Sequence, residues 1–512
     1  MFHRLSPFPW RIILSSTVAG LLLALSYPRP DLTALAWVAL VPLCLVMHER
    51  PFWSGFAAGI GFFGLVLYWL NIVMVTFGHL NPLLSLLCYL LLVAYLALFF
   101  AAATWGTVYL HKRLKLSSAL IFPILWVALE YLRAHVMTGF PWALLGYSQQ
   151  GWLTAIQSVD LFGVYGLSYL LAFVNVTLAL MIQSLRSRER MPRLAVTCAL
   201  LLFAANLLYG YFVLDGDPAQ REQTMVTTLV QGNIDQSIKW DPAFVQATVD
   251  RYRDLSQVAV QESKSQLIVW PESATPFYYQ DQSALSEEVR QVAVKNQASL
   301  IFGSPAYEKR ADGRWHFLNS AFLLGADGKT LGRGDKVHLV PFGEYVPLKS
   351  VLPFINKLVE GIGDFSAGTI QPLALGASKL GLLVCYEGIF PELARAAVNQ
   401  GSDLLVNVTN DAWYGHSSAP FQHLSMARFR AIENRVWLVR AANTGISAFV
   451  DPTGKVSGAT PIFVTLSTTA TVGLGSRPTL YRTIGDALPL AFLLFCGYWF
   501  FVAYRQSRLK NE

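Results

Sequence analysis

Three stretches of this chain each set a group able to do chemistry at the end of a predicted strand. KLGLLVCYEGIF (379–390) leads to Cys385, LIVWPES (267–273) sets Glu272 just past a run that Pro271 stops, and GRGDKVHLVPFGEYVP (332–347) carries Lys336 and Glu344 behind a predicted hairpin. A cysteine attacks carbon as its thiolate, and a free thiol has a pKa of about 8.5. Such a sulfur needs a carboxylate to take its proton and a cation to favour the anion; Glu272 and Lys336 are residues of those types. Singly, each has a plainer reading: Glu272 as a cap, Lys336 as a solvated charge, Cys385 as a small hydrophobe in a core. As a set they are harder to set aside. Ligand sites in layered α/β folds form at strand ends, where segments 64 and 49 residues apart can meet.

The elements that position these residues separate by composition. Of 512 residues, 54% are hydrophobic, and the mean hydropathy is +0.42, too apolar for a single soluble domain. The apolar residues cluster in eight blocks, 10–27, 34–47, 53–76, 83–110, 118–132, 161–182, 194–213 and 484–504. A bilayer-crossing helix needs roughly 20 mostly apolar residues. The second and fifth blocks are short, yet the charges between blocks fit eight crossings better than six or seven.

Lys and Arg accumulate in short cytoplasmic loops. Here every second loop is basic: Arg4 precedes the first block and Arg11 stands at its start, Arg50 follows the second, and Lys112, Arg113 and Lys115 follow the fourth. Arg186, Arg188, Arg190 and Arg193 precede the seventh, and Arg505, Arg508 and Lys510 follow the eighth. The intervening loops carry almost no positive charge. This places both termini in the cytoplasm and the polar segment, about 215–482, across the membrane. The first block lacks a small-residue cleavage site, and its removal would break the alternation, so it reads as a span rather than a cleaved signal. The formal net charge of +7 owes much to these loops, with no basic stripe of the kind that binds nucleic acid.

Cys44, Cys88, Cys198 and Cys496 fall within apolar blocks, which leaves Cys385 as the lone cysteine of the polar segment. A single thiol in an oxidising compartment is a liability unless it is used. The segment alternates short strands, near 224–230, 266–270, 300–303, 381–385 and 403–408, with helical patterns at 241–263, 285–296, 391–400 and 420–435. Turn dipeptides Asp327-Gly328 and Thr453-Gly454 mark two hairpins. The expectation is an α/β or α+β sandwich of about 260 residues. His316, His338, His416 and His423 show no HExxH or CxxC spacing, so neither a metal nor another cofactor is expected.

WPES at Trp270, DKVHLVPFGEYVP from Asp335, CYE at Cys385 and NDAWYG from Asn410 resemble the carbon-nitrogen hydrolase (nitrilase) superfamily. With eight spans around them, the chain resembles its membrane branch, the apolipoprotein N-acyltransferase family, over essentially its whole length. The resemblance implies a polytopic α-helical membrane domain of eight spans plus an extramembrane α/β nitrilase-like αββα sandwich. The corresponding divisions are 1–214 with seven spans, 215–482 as a periplasmic catalytic domain, and 483–512 with the eighth span and a cytoplasmic tail. It also implies a bacterial inner-membrane location. Glu272 would be the general base, Cys385 the nucleophile and Lys336 the oxyanion stabiliser, with Glu344 and Glu387 as supporting carboxylates and Trp240 and Tyr386 near the acyl-binding site.

The implied reaction is ping-pong: a phospholipid donates an acyl chain to the cysteine as a thioester, and the free α-amine of an apolipoprotein accepts it. A membrane-tethered amidase that releases the acyl group to water would use the same triad. A noncatalytic scaffold with a decayed domain would be expected to have lost one of the three. The apolar stretch 345–363 reads as an arm touching the bilayer or as a core helix. TGFPWALLGYSQ (138–149) is a candidate lining of the lipid entrance, and Glu130 and Arg133 read as a headgroup contact or as a snorkelling pair.

Overall fold

The computed structural model describes residues 10–217, 219–311, 313–345 and 365–509. The apolar stretch 345–363 lies, beyond Tyr345, outside the described residues. The chain forms two compact units, Met1–Asp215 with Ile484–Glu512, and Gly216–Thr483.

In the first unit five helices are long and apolar enough to cross a membrane: Pro82–Leu114, Ser118–Thr138, Val159–Ser187, Arg193–Asp215 and Ala487–Arg508. A sixth span results if Pro51–Val66 and Leu70–Phe77, bent by 58° at a short break, count as one; Trp10–Ala24 and Thr33–Val46 are apolar but shorter. Length alone therefore gives five or six spans among the described residues, not eight. The second apolar block falls short because it is broken, with a 3₁₀ turn at Thr33–Trp37 and Pro42 opening a new helix, Val41–Val46. Small residues set the helix contacts. A Cβ on Gly20 would stand 2.0 Å from the Ala58 carbonyl oxygen, and one on Gly55 would stand 2.2 Å from the Thr104 hydroxyl. Such close approach is how apolar helices gain packing where no hydrophobic effect drives them together.

The loop 138–149 is buried rather than open: Trp142, Leu144 and Tyr147 have no exposure. Its backbone is gripped from the helix Ser118–His135. Arg133 donates to the carbonyls of Phe140 (3.1 Å) and Trp142 (2.8 Å), and Glu130 accepts from the Leu145 amide at 2.7 Å. Both side chains are themselves buried and brace this loop.

The second unit is a four-layer sandwich. Its strands are β1 (Thr224–Gln231), β2 (Leu267–Val269), β3 (Ser299–Lys309), β4 (Trp315–Leu324), β5 (Thr330–Asp335), β6 (Leu373–Leu375), β7 (Ser378–Val384), β8 (Leu404–Thr409), β9 (Trp437–Ala442), β10 (Ala448–Val450), β11 (Val456–Ser457) and β12 (Leu466–Gly473). They form two six-stranded sheets ordered β12-β1-β2-β3-β4-β5 and β11-β10-β9-β8-β7-β6. The inner strands β1-β2-β3 and β7-β8-β9 run parallel, and the outer pairs are antiparallel. The parallel strands are linked by crossover helices Val245–Ser263, Ala284–Asn296, Pro391–Asn399 and Ala419–Asn434. The period-two alternation of a strand divides the core into three. In β8, Leu404, Val406 and Val408 face the other sheet, meeting Leu229, Val269 and Ile301, while Leu405 faces its own helices at Ala394 and Ala431. Each fully buried aliphatic side chain here is worth about 1.5–3 kcal/mol. The Asp327-Gly328 turn joins β4 to β5, with Gly328 at φ +78 where a side chain would be strained.

Candidate active site

Cys385 follows the last residue of β7 and opens a 3₁₀ turn, Cys385–Ile389. Its own φ is +54, the left-handed region that a non-glycine residue adopts only at a cost. Glu272 lies three residues beyond β2, and Lys336 immediately follows β5. Close backbone packing holds the glutamate, since a Cβ on Gly303 would stand 2.6 Å from its Cα. Glu272, Lys336, Glu344, Tyr386 and Glu387 are all buried, as is Cys385.

The charges meet through one amide. Asn319 of β4 donates its Nδ2 to Oε1 of Glu272 at 2.7 Å and to Oε1 of Glu344 at 2.7 Å. Lys336 Nζ lies 2.9 Å from Glu344 Oε1 and 3.7 Å from Glu272 Oε1. The other Glu272 oxygen accepts from the Asn410 amide at 3.0 Å, and the other Glu344 oxygen from the Val340 amide at 2.8 Å. Burial opposes the charge on Lys336, but Glu344 and then Glu272 outweigh it and raise its pKa, which favours the ammonium. Burial, and then the charge of Glu272, push the Cys385 thiol up to about 12, against the pull of Lys336. The resting sulfur is therefore protonated. It needs a base at the moment of attack, and the charges that act on it most strongly are those of Glu272 and Lys336.

The remaining expected residues divide. Glu387 braces the backbone: its Oε1 accepts from the amides of Val337 (2.6 Å) and His338 (2.9 Å), and its Oε2 from the Val384 amide (2.6 Å). It thereby ties the strand ends bearing Lys336 and Cys385. Burial raises Glu387 to about 7, with the Val384 and His338 amides and Lys336 pulling it down. Tyr386 packs edge-on against Phe390, at 5.1 Å between ring centres. Trp240 is 50% exposed, whereas its neighbour Lys239 is buried and donates to the Glu272 carbonyl at 3.1 Å. Burial lowers Lys239 to about 8, opposed by Glu272 and Cys385.

Asn319 and Lys239 are contacts that inspection of the sequence passes over, and Asn410 enters it only as the start of NDAWYG. A polar residue inside the apolar run FLNSAFLL was the available signal for Asn319. Among the described residues, no three His, Cys, Asp or Glu side chains are grouped to hold a metal ion.

Comparison with known proteins places this geometry. The carbon-nitrogen hydrolase family matches residues 227–474, and the apolipoprotein N-acyltransferase N-terminal domain matches residues 19–177. The apolipoprotein N-acyltransferase of Geobacter metallireducens is 45% identical over 98% of this chain and 97% of its own length. That of Nitrosomonas europaea is 35% identical over 93% of each. Among solved structures, an amidase from Nesterenkonia sp. AN1 aligns with 52% of this chain and all of its own at 21% identity and a TM-score of 0.39. A thiol, a carboxylate and a buried ammonium at the strand ends of a sandwich, in a chain with several apolar helices and relatives of this kind, lead to one conclusion: the chain belongs to the apolipoprotein N-acyltransferase family of the nitrilase superfamily and is an N-acyltransferase.

Proposed function

We propose that the chain moves an acyl chain from a membrane phospholipid to the free α-amine of the N-terminal diacylglyceryl-cysteine of apolipoproteins, by way of a thioester on Cys385. The observation that carries this reading is the buried convergence of strand-end groups: Lys336 Nζ stands 2.9 Å from Glu344 Oε1 and 3.7 Å from Glu272 Oε1, and Cys385 is buried at the end of β7.

In the first half-reaction Glu272 takes the thiol proton as Cys385 Sγ attacks the ester carbonyl carbon. The carbonyl oxygen gains negative charge, which Lys336 stabilises; fixed donors of this kind are worth about 3 kcal/mol or more in the transition state. Collapse breaks the ester C–O bond, and the departing lysophospholipid oxygen takes the proton back from Glu272. In the second half-reaction the α-amine attacks the thioester, Glu272 accepts a proton from it, and as the C–S bond breaks Glu272 passes that proton to the departing sulfur, which returns the cysteine thiol. Glu344 holds Lys336 in place, Glu387 holds the two strand ends together, and Tyr386 and Trp240 border the acyl chain.

The topology proposed alongside is eight crossings with both termini cytoplasmic and residues 215–482 periplasmic. It is supported by the alternation of basic loops and by the five long apolar helices, the bent pair and the two shorter ones.

The test is to incubate the purified full chain with acyl-labelled phospholipid and a synthetic peptide bearing an N-terminal diacylglyceryl-cysteine. Label in an amide on that peptide, and none on its N-acetylated control, is the expected result. Label appearing only as free fatty acid would replace this reading with a hydrolase that gives its acyl group to water.

A further inference from the structure

Behind the cysteine, on the side away from Glu272 and Lys336 in sequence, four polar side chains have no exposure at all: Asn407, Asp411, His423 and Arg440. They come from β8, the turn after it, the helix Ala419–Asn434 and β9. Asn407 and Arg440 are register partners across the parallel pair β8-β9. Burying charge in a core of leucine and valine is costly, and ion pairs so buried are often replaceable by apolar packing without loss of stability. The location of this cluster thus calls for a role other than holding the sheet together.

Two of its hydrogen bonds converge on one atom. The carbonyl oxygen of Cys385 accepts from Asn407 Nδ2 at 3.3 Å and faces His423 Nε2 at 3.2 Å. A carbonyl only accepts, so Nε2 carries the hydrogen. Asn407 cannot turn over, because its Oδ1 accepts from the Arg440 guanidinium, which only donates, and its Nδ2 also donates to the Leu383 carbonyl at 2.8 Å. The His423 ring is held in turn: Nδ1 stands 3.0 Å from Asp411 Oδ1 and 3.0 Å from an Arg440 nitrogen, and Arg440 donates to Asp411 Oδ2 at 2.8 Å. Asp411 has no slack either, since a Cβ on Gly445 would stand 2.2 Å from its Oδ2. The residue so gripped is the one whose φ is +54. A strained non-glycine backbone persists where its surroundings over-determine it.

We propose that Asn407, His423, Asp411 and Arg440 are a clamp on the Cys385 carbonyl, positioning residues that hold the nucleophile's strained turn so that its sulfur points at Glu272. The inference rests on Cys385 being the nucleophile. Arg440 is the hub, and Asn407 and His423 are the two jaws. Misplacing a reacting atom by about 1 Å costs on the order of 100-fold in rate, which is the effect expected when a jaw is lost.

The experiment uses the full chain in phospholipid-detergent micelles and follows single-turnover acylation by labelled phospholipid. His423→Phe keeps a flat ring but removes the donor, and His423→Gln restores an N–H near the Nε2 position. The Phe variant is expected to acylate about 100-fold slower with a little-changed KM for phospholipid, and the Gln variant to recover about tenfold or more of that loss. A Phe variant within about threefold of the parent, or Phe and Gln variants slowed equally, would overturn the clamp. If the Phe variant does not fold, Asn407→Asp decides: it turns a donor into an acceptor against the same carbonyl at equal volume. A folded Asn407→Asp variant that acylates within about threefold of the parent overturns the clamp, and a loss near 100-fold supports it. Failure of the underlying reading would look different, with Cys385→Ala itself still becoming acylated.

Discussion

Replacing Lys336 with methionine keeps an unbranched side chain and removes one buried charge. The ammonium stands 2.9 Å from Glu344 Oε1 and 3.7 Å from Glu272 Oε1. At an effective dielectric of about 20, unit charges at those separations attract by roughly 6 and 4 kcal/mol. Desolvation offsets much of this, and breaking a buried pair typically costs about 3–5 kcal/mol because the partner is left uncompensated. Two carboxylates sharing the same Asn319 amide are left here, so one is expected to take up a proton. The variant should therefore be less stable at pH 8 than the parent, by an amount that shrinks on acidification. Loss of the oxyanion's cation should also slow acylation by about 100- to 1,000-fold. Lys336→Arg separates the two effects: it keeps the charge, but a planar fork does not fit where a compact ammonium is buried, so acylation still fails. Thermal unfolding of the full chain at pH 6 and 8, with single-turnover acylation by labelled phospholipid, reads both. A Lys336→Met variant as stable as the parent at pH 8 and acylating within about tenfold of it would refute this reasoning.

Glu272→Gln should lose acyl-enzyme formation as well as transfer, by about 100- to 10,000-fold, because an amide cannot take the thiol proton. Normal acylation with a stall at transfer would confine Glu272 to the amine. Glu387, raised by burial to about 7, binds its proton more tightly folded than unfolded. Its contribution to stability is thus complete below the unfolded value of about 4.3 and is lost as pH rises through 7, so Glu387→Gln should flatten the fall in melting temperature between pH 5 and 8, and an unchanged slope would remove Glu387 as its source. A reporter active only outside the cytoplasm should work when fused after Asp217 and fail when fused after Arg190, and the reverse would put Cys385 in the cytosol.

The strand-end chemistry was legible at Cys385 and Glu272 because each stands at the end of an apolar run, whereas Lys336 follows the polar strand TLGRGD and was legible only from the hairpin before it. Sandwich helices were legible from their periodicity and their starts. The run 285–296 corresponds to Ala284–Asn296, capped by Ser283, and 420–435 to Ala419–Asn434, opened by Pro420. Strand lengths were less so. The run 300–303 is the start of β3, which continues to Lys309 because β4 pairs with it residue by residue, a long-range partner that local pattern does not reveal. The clamp was half visible: LLVNVT and WLVRAA each break an apolar strand with one polar residue, but that Asn407 and Arg440 lie opposite each other depends on register. His423, which shows no metal-site spacing in sequence, hydrogen-bonds to the carbonyl of the nucleophile candidate. In sequence Trp240 is the residue expected near the acyl-binding site, whereas the burial of its neighbour Lys239 against the Glu272 carbonyl depends on the fold.

The thioester is the central claim, and intact mass tests it most directly. Purified full-length protein incubated with phospholipid of a single acyl composition and no acceptor should gain the mass of one acyl chain. The gain should map to the peptide containing Cys385, disappear with neutral hydroxylamine, and be absent from Cys385→Ala. No mass gain under conditions where the acceptor peptide is acylated, or an equal gain on Cys385→Ala, would contradict the account.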